Sequence, residues 1–182
     1  MISVLEKCAR GLDAIVEASG RIAAWTGLAL VLVMAGNVLM RYAFHTGSVA
    51  MQELEWHLMS PLTLLCIAYT IKHEGHVRVD IFYARLPNRM RQAVDLFSAI
   101  SVVALSIIVI LLSWPYVMQS YRIGEGSPDP GGLPYRFILK AMIPAGFALL
   151  LLQSLAATLR AIRSFLDGGA PPAMPVPADA PQ

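Results

Sequence analysis

Histidines are the side chains in this sequence with the clearest capacity to bind a cofactor. The chain has four histidines in 182 residues, and two imidazoles that face each other across a membrane bundle can ligate a haem iron. His57 and His73 are separated by 16 positions, so roughly 24 Å lies between them along one helix. His45 and His76 fall in polar connecting segments. This spacing argues against haem ligation, and we predict no cofactor.

A divalent metal is the second possibility for these histidines. His73 and His76 have i, i+3 spacing beside Glu74 and Asp80, which are metal-ligand types. Gly75 between them weakens the helix that would fix the geometry. Interfacial hydrogen bonding at a helix C-terminus is the favoured interpretation, and we predict no metal site.

Nucleophilic catalysis is the third chemistry to consider. Ser48, Glu53 and His57 include the residue types of a catalytic triad, but no nucleophile elbow accompanies them. The sequence therefore predicts a protein that is not an enzyme.

The composition indicates the elements that position these residues. Hydrophobic residues make up 57% of the chain and charged residues 14%, whereas charged residues are about a quarter of an ordinary soluble domain. The net charge is only +2, without the basic stripe that binds nucleic acid. We predict an integral membrane protein with no nucleic-acid partner.

Long charge-free runs mark the membrane helices. Ile22 to Met40 has 19 residues without a charge, which matches a hydrocarbon core of about 30 Å. Three further runs follow the same logic. The predicted fold is an all-α integral membrane protein with four transmembrane helices, at about 22–41, 52–72, 92–119 and 137–160, plus an N-terminal amphipathic interfacial helix.

The remaining segments complete the predicted domain organisation. Residues 1–19 alternate apolar and charged faces, which is typical of a helix on a membrane surface; a signal peptide is the rival interpretation. Residues 20–166 form the membrane domain, and the Pro- and Ala-rich tail 167–182 is predicted to be disordered. Pro87 is expected at a helix start, Pro115 at a kink or helix end, and Gly124 to Pro134 in a loop.

The basic residues predict the orientation of these spans. If both termini are cytoplasmic, ten of the 14 basic residues lie on the inner side, where Lys and Arg of short loops accumulate. The outer side then holds Arg41, Arg122, Arg136 and Lys140. We therefore predict a multi-pass protein with both termini in the cytoplasm.

Polar groups near and inside the spans give further expectations. Asp, Glu, Lys and Arg are absent from the apolar runs, although ion pathways normally need such groups. Asn37 and Gln153 can each hydrogen-bond to a neighbouring helix. Arg41 and Glu53 flank the first outer turn, where they could pair across the ends of the first two helices or be two solvated charges at headgroup level.

Three short segments together carry a family resemblance. They are Asn37 to Phe44 (NVLMRYAF), Gln52 to Trp56 (QELEW) and Glu74 to Asp80 (EGHVRVD) with the following Leu86-Pro87. In this spacing the sequence resembles the small membrane subunit of tripartite ATP-independent periplasmic (TRAP) transporters, the DctQ family. Gln52 departs from the family, much of which has a second acidic residue there. The EGSPDPGGLP segment is similar to the branch labelled mannitol/chloroaromatic.

The resemblance implies a bacterial inner-membrane subunit of a three-part secondary transporter. A periplasmic substrate-binding protein would capture an organic acid, and a large elevator-type membrane subunit would move it by sodium symport. The small subunit would scaffold the large one, help dock the binding protein, and contact membrane lipids, in part through the basic connector 78–91.

Two sets of residues are expected to serve these contacts. The predicted subunit-interface or structural residues are Arg41, Glu53, Trp56, His76, Arg78 and Asp80. The predicted docking residues are Arg122, Glu125, Asp129 and Arg136. A stand-alone membrane assembly or regulatory protein, and then a haem-bearing electron-transfer subunit, are the alternatives.

Overall fold

The protein is all-helical over the part of the chain that its computed structural model describes, residues 2–73, 83 and 86–167. These residues include the helices α1 (Ile2–Ala43), α2 (Val49–Lys72), α3 (Asn88–Arg122) and α4 (Arg136–Asp167). The described residues contain no strand. The predicted all-α class is confirmed, while the tail from residue 168 onwards lies outside the described residues.

The first helix differs from the sequence expectation. It is one helix of 42 residues, roughly 63 Å long, and it has no break near residue 19 that would separate a surface helix from a membrane span. Single glycines such as Gly11 and Gly20 are tolerated within a helix, and no proline interrupts this segment. A separate interfacial helix over 1–19 is therefore not what the secondary structure contains.

The second helix has well-defined ends. Ser48 is its N-cap, and the Ser48 hydroxyl accepts a hydrogen bond from the Met51 N–H at 3.4 Å, as a capping serine does. His73 caps the other end, where its N–H donates to the Tyr69 carbonyl at 3.1 Å. The helix ends at Lys72, where the predicted segment 52–72 ends, and begins three residues earlier; Pro61 lies inside it without ending it.

Prolines act differently at the two ends of α3. Pro87 occupies the N-cap position, where its missing N–H costs nothing, so the predicted helix start is confirmed. Pro115 lies within the helix, which runs on to Arg122; the expectation that Pro115 could end it is wrong. A proline removes one backbone hydrogen bond, and the residues on both sides of Pro115 keep their helical conformation.

Small and hydroxyl side chains allow the helices to pack closely. The most extensive contact joins α3 to α4, and α2 lies against both α1 and α4. The buried face of α3 carries Ser106, Ser113 and Ser120, spaced by one heptad. Such residues let membrane helices approach. On α4, Gly146 sits against the Leu64 backbone of α2.

Large apolar side chains point outward from this bundle. Trp25, Leu32, Phe97 and Leu112 are each more than 60% exposed, whereas a water-soluble protein buries most such side chains. Among the residues that the structure describes, three helical segments are long and apolar enough to cross a membrane: Asp13–Ala43, Asn88–Arg122 and Arg136–Arg163. The chain is thus a multi-pass membrane protein, and the assignment of α2 as a fourth span needs a further argument.

Replacing Gly146 with alanine should destabilise the bundle. The added Cβ would lie 2.7 Å from the Leu64 Cβ and 2.9 Å from the Leu64 carbonyl oxygen, and overpacking of this kind costs about 1–3 kcal/mol. Gly11→Ala is the matched control because nothing lies within 4 Å of its Cβ position. Thermal unfolding in detergent should show a lower Tm for Gly146→Ala and an unchanged or higher Tm for Gly11→Ala. Equal Tm values for the two variants would contradict this packing.

Candidate functional site

A cluster of charged and backbone groups forms around Glu53 at one end of the bundle. Glu53 lies near the N-terminus of α2, and its side chain is only 12% exposed. One carboxylate oxygen accepts a hydrogen bond from the Ser127 hydroxyl and lies 3.5 Å from the Arg136 guanidinium. The other oxygen accepts the Leu133 N–H at 2.6 Å. One carboxylate thus joins α2, the loop 123–135 and the start of α4.

The loop 123–135 has a defined backbone that fits this carboxylate. Gly124 and Gly131 have φ values of 59° and 80°, which glycine adopts without steric cost. The Ser127 N–H donates to the Leu133 carbonyl at 3.1 Å. A Cβ on Gly132 would lie 2.7 Å from a Glu53 oxygen, so only glycine permits this approach. The predicted irregular segment from Gly124 to Pro134 is confirmed, and it is an ordered turn.

A second ion pair supports the same loop from the opposite side. The Lys140 ammonium lies 2.5 Å from a Glu125 carboxylate oxygen and 4.0 Å from the centre of the Tyr116 ring, within the range of a cation–π interaction. The Arg136 N–H donates to the Glu125 carbonyl at 3.0 Å. The hydrogen bond from Lys140 holds the pKa of the Glu125 carboxyl below its ordinary value of 4.5.

The same end of the bundle also connects α1 to α2. The Asn37 amide donates to a Glu55 carboxylate oxygen at 2.9 Å. This bond confirms the expectation that Asn37 reaches a neighbouring helix. Glu53 and Glu55 therefore leave α2 in different directions, one toward the loop and one toward α1.

Further ion pairs tie the opposite end of the bundle together. The Lys72 ammonium lies 2.7 Å from the Glu17 carboxylate and donates to the Asp13 carbonyl at 2.9 Å. His73 lies 3.1 Å from the same Glu17 oxygen. The Arg160 guanidinium of α4 lies 3.1 Å from the Asp13 carboxylate. Three helices are thereby joined through two carboxylates of α1.

Gln153 adds a buried amide to this end. Its side chain is 1% exposed, and in its hydrogen-bonding orientation the amide donates to Asp13 and accepts from Arg160, both at 3.2 Å. Gln153 therefore hydrogen-bonds to α1, which confirms the expectation that it reaches a neighbouring helix.

The predicted interface residues have different outcomes in the structure. Glu53 is central, and its ionic partner is Arg136 of α4 and not Arg41, whose pairing with Glu53 was one of the two alternatives for the outer turn. Sequence proximity suggested Arg41, which is exposed and lines the turn before α2. Trp56 is 70% exposed. The other three predicted residues lie outside the described part of the chain: His76, Arg78 and Asp80.

The predicted docking residues divide into two pairs. Glu125 and Arg136 are held in the ion pairs described above, whereas Arg122 and Asp129 are exposed. Sequence reasoning missed the partners of the two acidic residues. They are Ser127 and the Leu133 N–H for Glu53, and Lys140 for Glu125. The signal available was that two acidic residues near membrane boundaries, Glu53 and Glu125, each require a donor.

The chemistry open to this arrangement is structural. Within the described ranges, no group of three or more His, Cys, Asp or Glu side chains is placed to hold a metal ion. The carboxylates of Glu53 and Glu125 accept hydrogen bonds from a lysine, a serine and a backbone N–H of the same chain, and an arginine forms an ion pair with Glu53. Their charges fix the loop 123–135 to two helices.

Comparison with known proteins shows which family has this sequence pattern. The family model described as tripartite ATP-independent periplasmic transporters, DctQ component, matches residues 30–164, which include α2, α3 and nearly all of α4. The chain belongs to the DctQ family. DctQ proteins are transporter components and not enzymes, so the predicted family and the non-enzymatic role are confirmed.

A relative from Vibrio cholerae serotype O1 supports the membership of this DctQ protein. That relative is the C4-dicarboxylate TRAP transporter small permease protein DctQ, to which the chain is 25% identical over 159 residues. The match covers 76% of this chain and 68% of the relative. The mannitol/chloroaromatic branch stays a prediction.

Replacing Glu53 with glutamine should loosen the loop 123–135. The amide has one acceptor oxygen where the carboxylate has two, so either Ser127 or the Leu133 N–H loses its partner, and Arg136 loses its counter-charge. Leaving such a group unsatisfied costs about 1–3 kcal/mol, and about 1.4 kcal/mol is tenfold in an equilibrium. Hydrogen–deuterium exchange at Leu133 should therefore accelerate roughly tenfold or more.

Asp129→Asn is the control for this experiment, because Asp129 is exposed on the same loop. Its exchange at Leu133 should equal that of the parent protein. Unchanged exchange in Glu53→Gln, or equal acceleration in both variants, would show that Glu53 does not hold the loop.

The Glu125–Lys140 pair should make the loop sensitive to acid. Because the folded-state pKa of Glu125 lies below 4.5, its contribution to stability is fully present above pH 4.5 and is lost as the pH falls through the folded-state pKa. Tm measured from pH 6 downward should fall less steeply below pH 4.5 in Glu125→Gln than in the parent. Parallel Tm curves for the two proteins would contradict this role.

Proposed function

We propose that this protein is the small membrane subunit that scaffolds the large subunit of a TRAP transporter and helps dock the periplasmic binding protein. The transporter would take up an organic acid by sodium symport in a bacterial inner membrane. The observation that carries the proposal is the pair of polar clusters at opposite ends of the bundle. They fix the helices to one another and shape the loop 123–135, as a rigid support requires.

The polar contacts between α1 and α2 support four spans. At one end Glu17 contacts Lys72, and at the other Asn37 contacts Glu55. Twenty positions separate the two contact residues of α1 and 17 separate those of α2, or roughly 30 Å and 26 Å. These distances are close to the hydrocarbon thickness of about 30 Å. We infer that α2 crosses the membrane antiparallel to α1, despite its shorter apolar run.

The orientation of the bundle follows from its basic residues. Arg21, Lys72 and Arg160 belong to the cluster at the end that holds Glu17. Basic residues collect on the cytoplasmic side, so this end faces the cytoplasm and both termini are cytoplasmic. The Glu53 cluster and the loop 123–135 then face the periplasm, where a binding protein approaches.

Docking of the binding protein is the second part of the proposal. Glu125 and Arg136 act indirectly, because their charges are engaged in holding the loop. Asp129 at the loop tip is exposed, and rim charges chiefly set association rates and orientation. Asp129 is therefore the docking residue that the loop presents most directly. Arg122 lies below it on the last turn of α3.

Two exposed tryptophans distinguish a partner-facing surface from a lipid-facing one. Trp56 on α2 is 70% exposed and shares a helix face with Gln52 and Thr63. Trp25 on α1 is 72% exposed and shares its face with Leu28 and Leu32. Polar groups favour contact between membrane helices, so we assign the Trp56 face to the large subunit.

Truncating Trp56 should weaken the complex with the large subunit. Buried tryptophans at interfaces commonly contribute 2 kcal/mol or more, on the order of a thirtyfold change in affinity. In pull-downs from detergent, Trp56→Ala should recover much less of the large multi-span partner than the parent, whereas Trp25→Ala should recover the same amount. If no such partner accompanies the parent protein, the scaffold proposal fails. Loss of the partner in Trp25→Ala alone would move the interface to α1.

A further inference from the structure

We propose that the outer end of α3 binds an anionic phospholipid, with its phosphate on Arg122 and an acyl chain along the groove below. The groove has a volume of about 480 Å³ and is lined by Trp114, Pro115, Met118, Gln119, Arg122 and Ile123. It is an open groove along one helix, accessible along its length. None of these residues belongs to the Glu53 cluster.

The groove faces away from the rest of the bundle. Ser113, Val117 and Ser120 form the buried face of α3, and α4 packs on α3. The groove residues occupy the other side, where Trp114 is 57% and Ile123 is 67% exposed. The surrounding membrane therefore has direct access to it.

The groove has the polarity of a lipid along its length. Trp114, Pro115 and Met118 give an apolar wall, and Gln119 and Arg122 follow toward the helix end. Eight positions separate Trp114 from Arg122, or roughly 12 Å. Since headgroup regions add several ångströms to each side of the hydrocarbon, this length reaches from the headgroups into the acyl chains.

Charge selects an anionic headgroup for this groove. At the same end of the bundle, Arg136 pairs with Glu53 and Lys140 with Glu125. The described residues provide no carboxylate partner for Arg122, which is exposed. An arginine that is left unpaired at headgroup level attracts anionic lipid.

The end of α3 does not oppose an anion there. Free carbonyls at a helix C-terminus carry partial negative charge. Here the carbonyls of Gln119, Ser120 and Tyr121 accept N–H groups from Ile123, Glu125 and Gly124 at 3.0–3.1 Å. Three carbonyls of the last turn thus accept hydrogen bonds from the loop, so the positive charge of Arg122 is the main charge at the site.

Quenching of Trp114 fluorescence tests this proposal on the full chain. The chain has three tryptophans, so Trp25→Phe with Trp56→Phe leaves Trp114 as the reporter. The protein is reconstituted in vesicles that mix a brominated phospholipid with an unbrominated one, using either brominated phosphatidylglycerol or brominated phosphatidylcholine. We expect phosphatidylglycerol to be preferred about fivefold at Trp114, as expected for one basic residue near an anionic lipid.

Three variants show whether Arg122 causes the preference. In Arg122→Gln the two brominated lipids should quench Trp114 almost equally, and Arg122→Lys should keep most of the preference for phosphatidylglycerol. Arg41→Gln removes another exposed arginine of the same end and should leave it unchanged.

The proposal is overturned by equal quenching from both lipids in the parent, or by an unchanged preference in Arg122→Gln. It is also overturned if Arg41→Gln abolishes the preference, since general surface charge would then explain it. The preference does not depend on complex assembly, so it can fail while the scaffold proposal stands.

Discussion

The Glu53 carboxylate is the group on which the end of the bundle that holds the loop 123–135 depends. A carboxylate that is largely removed from water needs hydrogen-bond donors and a counter-charge. Glu53 accepts hydrogen bonds from the Ser127 hydroxyl and the Leu133 N–H, and the Arg136 guanidinium lies 3.5 Å away as its counter-charge. The loop 123–135 takes the shape that brings these donors together. Gly132 is required at the closest point of approach.

The bundle uses the same principle at its other end. Glu17 and Asp13 of α1 hold Lys72 of α2 and Arg160 of α4. Between the two ends, the helices pack through small and hydroxyl side chains and expose large apolar ones. The charges lie toward the ends of the helices and serve to fix their relative positions.

Much of this fold could be predicted from the sequence because membrane helices must be charge-free over a fixed length. The charge-free runs located α3 and α4, and Pro87 and the glycine-rich loop marked helix boundaries. Rules based on single residues predicted helix ends less well, because helix formation is cooperative and a long helix continues past a locally unfavourable residue. Helix α1 continues through the expected boundary near residue 19, and α3 continues through Pro115.

The partners of the charged residues could not be predicted in the same way. Glu53 is close to Arg41 in sequence, yet it pairs with Arg136, 83 positions away, because helix packing brings the start of α4 beside α2. Glu125 and Arg136, which the sequence predicts as docking residues, are engaged in ion pairs within the chain. A charge in a loop shows that a contact is needed, but only the tertiary structure shows which one.

Transport by the reconstituted three-part system in Glu53→Gln tests the central claim most directly. If the outer cluster only shapes a docking surface, the variant should need more binding protein for half-maximal uptake. Its half-saturating sodium concentration, and its uptake rate at saturating binding protein, should match those of the parent. A changed sodium dependence with an unchanged requirement for binding protein would contradict the claim, because it would place Glu53 in the transport step itself.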